Sequence, residues 1–127
     1  METTITKGIR ISVEVFYQPS FNDGVSNHVF AYRIAIENQN HFTVQLLRRQ
    51  WNIVYADGSR REVEGPGVVG EQPVLQPNQV HRYVSGCHLP TELGKMYGTY
   101  LMENLEDGTR FKVNIPPFKM AVPHLLN

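Results

Sequence analysis

The chain has 127 residues, a length that fits one domain and can bury a hydrophobic core without disulfide bonds or metal ions. Twelve basic and twelve acidic side chains give a formal net charge of zero, so no overall field draws nucleic acid or an anionic membrane to its surface. The lone Cys87 excludes an intrachain disulfide, and no stretch is long and apolar enough for a membrane span. The first fifteen residues alternate where a signal peptide needs an apolar block, so we expect a cytoplasmic protein.

Apolar and polar residues alternate through most of the chain, the pattern of half-buried strands. The first run covers residues 9–17, and a second over 30–36 has alanines on its other face, which is typical of a central strand. A long third strand over 44–56 places Leu47 and Trp51 on one face. We expect this Trp51 to lie in the core.

Turn signals divide the second half of the chain into short strands. Asp57-Gly58 and Glu106-Asp107-Gly108 are hairpin turns, and Pro116-Pro117 is expected to end the last pairing. Four further strands are indicated at residues 60–64, 80–85, 96–102 and 111–115.

Helices are expected to be minor, since no window has apolar residues at helical spacing and Thr91–Gly94 offers at most one turn. Seven short antiparallel strands predict an all-β fold, an immunoglobulin-like or fibronectin type III-like sandwich. We expect a single domain over residues 1–127, with its core at about 9–118 and an apolar tail at 119–127.

Residues 65–73 read Gly-Pro-Gly-Val-Val-Gly-Glu-Gln-Pro and match the G-x-G-x-x-G pattern of dinucleotide-binding loops. That motif requires a helix after its third glycine, and Pro73 and Pro77 oppose one here. Three glutamates on and beside the loop would repel a phosphate. We interpret the segment, hereafter the glycine loop, as a connection between strands, with a phosphate cradle as the alternative.

Other chemically active residues favour structural roles. The five histidines lack the spacing that aims two imidazoles at one ion, so no metal site is predicted, with a site assembled from distant segments around His28 and His41 as the alternative. Cys87 has His88 beside it but no helix N-terminus to lower its pKa, which favours a buried thiol. The doublets Arg48-Arg49 and Arg60-Arg61 are interpreted as surface charge, because no exposed aromatics interleave them as in an RNA platform, with a phosphate contact as the alternative.

Several apolar residues remain once the strands have filled a core. They either cover a sheet edge or form a protein-binding or dimer surface. They are Phe16, Phe21 and, in the tail, Phe118, Met120, Val122, Leu125 and Leu126.

Particular runs of residues resemble the ApaG family of bacterial proteins over nearly the whole chain. The runs are Leu46–Trp51, Asp57-Gly58, Glu64–Leu75, Ser85–Cys87 and Ile115–Phe118. The most specific element is Gly-x-Gly-x-x-Gly-Glu-Gln-Pro followed by Ser-Gly-Cys.

The resemblance implies a fibronectin type III-like sandwich and an association with cobalt and magnesium resistance (efflux) and with diadenosine tetraphosphate metabolism. Eukaryotic relatives attach the same domain to F-box and polymerase-delta-interacting proteins. Because a chain without a membrane span cannot itself move an ion across a bilayer, regulation of a transporter is the most this association implies.

We therefore expect a non-enzymatic protein-interaction module without catalytic residues, metal or cofactor. A nucleotide- or pyrophosphate-binding sensor or small enzyme that uses the Gly65–Gly70 loop is the alternative. A protein partner is expected, nucleic acid is not, and a homodimer through an edge strand or the tail stays open. The predicted partner-binding residues are Gly65, Gly67, Gly70, Glu71, Gln72, Pro73, Ser85, Gly86 and Cys87.

Overall fold

The computed structural model describes residues 1–18 and 28–126, and within these ranges nine strands form two antiparallel sheets. One sheet has the order β1-β2-β3-β7, and the other has the order β5-β4-β8-β9 with β6 paired to β4. The predicted β-sandwich is confirmed. The strands are β1 (Glu2–Thr6), β2 (Ile9–Tyr17), β3 (His28–Asn38), β4 (Val44–Tyr55), β5 (Arg60–Pro66), β6 (Val74–Leu75), β7 (Val80–Leu89), β8 (Leu93–Asn104) and β9 (Arg110–Ala121).

All seven predicted strands are present, and both hairpin turns form where Asp-Gly pairs indicated them. Gly58 and Gly108 have left-handed φ angles of 88° and 77°, as such turns require. The prediction missed β1 and the two-residue β6, and it ended β7 four residues early. A 3₁₀ turn follows at Pro123–Leu126, and no helix within the described residues combines the length and apolar character that crossing a membrane requires.

A bulge in β4 changes which leucine faces the core. The register pairs Leu46 with Met102 but Arg48 with Leu101, so Leu47 is an extra residue. Leu46 is therefore fully buried and Leu47 only half-buried, so the expectation that Leu47 shares an inner face with Trp51 was wrong.

A second bulge lets β9 continue past its two prolines. Pro116 and Pro117 together lie opposite Tyr97, where the ladder is interrupted and their missing N–H groups cost nothing. Pairing resumes at Phe118 and continues to the end of β9, so the prediction that the prolines end the pairing was wrong.

The continuation of β9 places most of the tail inside the protein. Phe118, Met120 and Val122 are buried, so they belong to the core and offer no free surface for a partner or dimer. The core therefore extends beyond residue 118. Phe21 and the side chains of Leu125 and Leu126 lie outside the described residues.

Trp51 lies between the two sheets, as predicted, and is 3% exposed. Its ring makes edge contacts with Tyr32 of the facing sheet and with Phe118, at centroid distances of 5.7 and 5.9 Å. Such aromatic contacts stabilise beyond the area they bury. Trp51 thus joins strands from both layers.

The two sides of the sandwich differ. On one side β1 and β2 pack against β9, and the Asn114 N–H donates to Thr6 Oγ1 at 3.2 Å. On the other side each sheet ends in an edge strand, β5 or β7. The gap between these two edges contains the site.

Candidate functional site

A pocket of about 420 Å³ opens between the edge strands β5 and β7. Its apolar floor includes Trp51, Ile53 and Met96 from the five-stranded sheet. Val68 and Val69 of the glycine loop and Ser85–His88 of β7 line its walls. The fold thus brings the glycine loop and Ser85–Cys87, the two segments with predicted partner-binding residues, to one pocket.

Tyrosine hydroxyls lie beside this floor. Tyr32 and Tyr83 line the pocket, and the hydroxyl of Tyr83 hydrogen-bonds that of the fully buried Tyr100. Burial raises the pKa of all three phenols, and the positive charge of Arg49 offsets a small part of that rise. The phenols are therefore neutral hydrogen-bonding groups near pH 7.

Arg49 connects the floor to the glycine loop. Its Nη1 donates to the carbonyl oxygens of Pro66 at 2.8 Å and Gly67 at 3.1 Å. Gly65 pairs with Arg49 across the strands, and a Cβ at Gly65 would lie 3.1 Å from Arg49 Nη1. Gly65 therefore provides the space that the guanidinium occupies.

The tip of the glycine loop is a two-residue β-turn. The Val68 N–H donates to the Glu71 carbonyl at 2.8 Å, and the Glu71 N–H donates back to the Val68 carbonyl at 3.0 Å. Val69 and Gly70, between them, have left-handed φ angles of 46° and 77°, the pattern of a type I′ turn. Valine is unusual there because its β-branch crowds the backbone. Val69 is nevertheless 63% exposed at the edge of the pocket.

Three backbone N–H groups of this loop are already used in hydrogen bonds within the protein. The Gly67 N–H donates to the Leu47 carbonyl at 2.9 Å, and those of Val68 and Glu71 are used in the turn. Gly67 has a φ of 62°, and a Cβ there would lie 2.1 Å from the Glu71 carbonyl oxygen. A phosphate cradle needs several free N–H groups aimed at one point, so the nucleotide hypothesis loses its main physical support.

Glu71, Gln72 and Pro73 fasten the loop and do not line the pocket. A Glu71 carboxylate oxygen lies 3.7 Å from His81 Nε2 on β7. The Gln72 amide donates to the Leu47 carbonyl at 2.9 Å, and the Pro73 carbonyl accepts the Leu46 N–H at 3.0 Å.

Ser85, Gly86 and Cys87 lie on β7, which continues to Leu89, and all three line the pocket. Ser85 lies directly opposite Tyr32 in the register of β3 and β7. Burial raises the pKa of the Cys87 thiol to about 11, and the nearby Arg61 charge offsets part of the rise. A Cβ at Gly86 would make only an ordinary 3.5 Å contact, so neither space nor φ requires this glycine.

Several residues of the pocket were not predicted from the sequence. Arg49 and Arg61 had been interpreted as ordinary surface charge, although alternation along β5 turns Arg61 toward the pocket and Arg60 away. Val69 had no recognisable signal, because nothing local predicts a valine with positive φ.

Two other features of the described residues carry less chemistry. A concavity of about 410 Å³ on the outer face of the four-stranded sheet is crossed by the ion pairs Arg10–Glu37 and Arg33–Glu14, at 3.9 and 2.9 Å. No group of three His, Cys, Asp or Glu side chains within residues 1–18 and 28–126 is placed to hold a metal ion. The absence of a metal site stays a prediction.

The fold and the pocket together define an antiparallel β-sandwich domain with a cleft between two sheet edges. The floor of the cleft is apolar, and two arginine side chains line it. The family model of the ApaG domain matches residues 19–104. A protein named ApaG from Paramagnetospirillum magneticum is 49% identical over 125 residues, which cover 98% of this chain and 95% of that protein. A second, from Brucella canis, is 45% identical over 124 residues, 97% of this chain and 95% of that protein. The chain belongs to the ApaG family, as its motifs predicted.

Solved structures agree with this assignment. A crystal structure of a Bordetella pertussis protein described as ApaA superposes with a TM-score of 0.86 and 40% identity, and it covers 91% of this chain and 94% of that chain. A protein from Archaeoglobus fulgidus shares the fold alone. It is 8% identical and superposes with a TM-score of 0.54 over 87% of this chain and 95% of that chain.

Proposed function

We propose that this domain is a non-enzymatic binding module that holds a segment of another protein in the pocket between β5 and β7. The observation that carries the proposal is Val69, an exposed β-branched residue held in a left-handed turn at the edge of the pocket. Such a conformation costs roughly 1–3 kcal/mol, and strain of this kind concentrates at functional sites. Asparagine or glycine at position 69 would form the same turn without this strain.

The edge strands support a peptide as the ligand. Among the described strands β5 and β7 end their sheets, so each presents a row of backbone N–H and C=O groups without a neighbouring strand there. An extended segment adds to such an edge through its main chain, and its alternate side chains enter adjoining pockets. The floor around Trp51 suits one large apolar side chain.

The ionisation of the pocket favours binding over catalysis. The Cys87 thiol and the phenols of Tyr32 and Tyr83 all have raised pKa values, so they are protonated near pH 7. His88 also lines the pocket, but no carboxylate of the described residues lines it beside the imidazole. An acid–base pair or an activated nucleophile therefore has no place among the described lining residues.

In this proposal the family's association with cobalt and magnesium resistance and with diadenosine tetraphosphate metabolism operates through the captured partner. The alternative, a nucleotide- or pyrophosphate-binding sensor or enzyme, predicts direct binding of small anions. Saturable calorimetric binding of ATP or pyrophosphate with a Kd below roughly 10 μM, about 7 kcal/mol, would favour that alternative.

The test is affinity capture from the native lysate with the wild-type domain, Val69→Asn and Val84→Asn. Val84 is the matched control, because it is a similarly exposed valine, 58% against 63%, that lies on β7 outside the pocket. We expect one partner, identified by mass spectrometry, to be retained by the control and lost with Val69→Asn, while both variants keep the native circular dichroism spectrum. Retention by Val69→Asn together with loss in Val84→Asn would place the interaction elsewhere, and capture of nothing by the wild type would contradict the function itself.

A further inference from the structure

We infer that the segment held in the pocket carries a carboxylate next to a large apolar side chain. This inference rests on the proposed function and specifies the chemistry of its ligand. It follows from the charges that line the pocket, from their positions and from the floor between them.

The cationic side chains of the pocket have no ion-pair partner among the described residues. Arg49 and Arg61 line it, and no Asp or Glu of residues 1–18 and 28–126 does. Among the described residues no carboxylate oxygen lies within 4.0 Å of a guanidinium nitrogen of Arg49 or Arg61. By contrast Arg48, one position before Arg49, forms an ion pair with Glu64 at 3.4 Å on the outside of the sheet. A cleft lined by one sign of charge attracts the opposite sign.

Arg61 is placed to bind an incoming acid. It lies on β5 and acts across the cleft on Cys87 of β7, where its charge offsets part of the rise in the thiol pKa that burial causes. Arg61 is exposed, whereas Arg49 is half-buried and already donates to two loop carbonyls. A guanidinium with free N–H groups binds a carboxylate through two parallel hydrogen bonds.

The rest of the pocket favours a peptide acid over a phosphate. Trp51, Ile53 and Met96 form an apolar floor that a bare phosphate does not fill. The N–H groups of Gly67, Val68 and Glu71 are used inside the protein and cannot surround phosphate oxygens. An Asp or Glu one or two positions from an aromatic or branched apolar residue satisfies both the floor and Arg61.

The first experiment selects a phage-displayed library of random twelve-residue peptides on the purified domain. Enriched peptides are synthesised and titrated by the fluorescence of Trp51, the one tryptophan of the chain, which lies in the pocket floor. We expect an Asp or Glu within two residues of a Trp, Phe, Leu or Ile. Replacement of that acid by its amide should weaken binding about tenfold, the size of a charge-assisted hydrogen bond.

The second experiment reverses the charge. Arg61→Glu should weaken binding of the acidic peptide at least tenfold and should bind its Lys-substituted version more tightly than the wild type does. Arg60→Glu is the matched control with the same charge change on the adjacent residue, and it should alter the affinity less than about threefold because Arg60 faces away from the pocket.

Two results separate the inference from the function beneath it. Selected peptides could lack an acid, bind Arg61→Glu as well as the wild type and fail to bind Val69→Asn. That result would overturn the carboxylate inference but would still support the binding module. Failure to enrich any peptide would overturn both. Displacement of the peptide by micromolar pyrophosphate, with a matching saturable change in Trp51 fluorescence, would assign the cations to a phosphate and also refute the inference.

Discussion

Val69→Asn should stabilise the protein although it removes an apolar side chain. A left-handed conformation costs an L-residue roughly 1–2 kcal/mol, and β-branched residues are among the worst suited to it. The side chain is 63% exposed, so its partial burial contributes only about 0.5 kcal/mol of the roughly 1.5 that full burial of valine gives. Asparagine before Gly70 matches the preferred type I′ sequence. The net expectation is an increase of about 1 kcal/mol in the free energy of unfolding.

Urea and thermal denaturation followed by circular dichroism measure this change. For a domain of this size we expect a Tm increase of about 3–5 °C. Val84→Asn is the control, because valine there is similarly exposed but lies in an extended strand, where asparagine is disfavoured by up to about 1 kcal/mol. The two substitutions should therefore act in opposite directions. Equal destabilisation by both would show that the turn carries no strain, and Val69 would then no longer support the proposed function.

Three further predictions concern the sandwich and its thiol. Gly98→Ala should destabilise the protein by about 3 kcal/mol or more in urea denaturation, because the new Cβ would lie 2.0 Å from the Gln50 carbonyl oxygen. The control, Gly86→Ala, should change the stability by less than about 1 kcal/mol, because its Cβ has space. Similar effects of the two substitutions would contradict the packing described. Trp51→Ala should cost about 3–5 kcal/mol, and the native fluorescence of Trp51 should be blue-shifted relative to the unfolded chain; a water-exposed spectrum in the native state would refute burial. Burial raises the pKa of Cys87 from an ordinary 9.0 to about 11, so its thiolate fraction at pH 8, and hence its alkylation rate, should be about 100-fold lower than for a free thiol. The pKa of Cys87 is higher in the folded protein than in the unfolded chain, so the free energy of unfolding is unaffected by this group below about pH 9 and falls as the pH rises toward 11. Cys87→Ala should reduce that fall.

Local alternation was enough to predict the sandwich. In a strand the direction of a side chain follows from its position modulo two, so runs such as 9–17 and 30–36 showed which residues enter the core. Asp57-Gly58 supplied its own turn chemistry, since Gly58 adopts the left-handed angle and the Asp57 carboxylate accepts the Ser59 N–H at 2.9 Å. The motifs from Glu64 to Cys87 likewise placed the chain in the ApaG family.

At β-bulges alternation predicted the wrong face, because one extra residue reverses which side chains face the core and the composition gives no sign of it. Leu47 and Leu46 exchange faces for this reason, and Pro116-Pro117 sits in a bulge that the partner strand determines. Whether a proline ends a strand depends on the residue opposite it, which the local sequence does not contain.

The pocket could not be predicted from the sequence. Its walls come from β5, the glycine loop and β7, and they meet only because both edge strands lie on the same side of the two packed sheets. The sequence by itself determined which residues face inward in the regular stretches of strand between the bulges, since alternation there depends only on neighbours along the chain. Only the tertiary structure decided that Arg61, Val69 and Cys87 share one cleft, because the distance between separate strands is set by sheet order and packing.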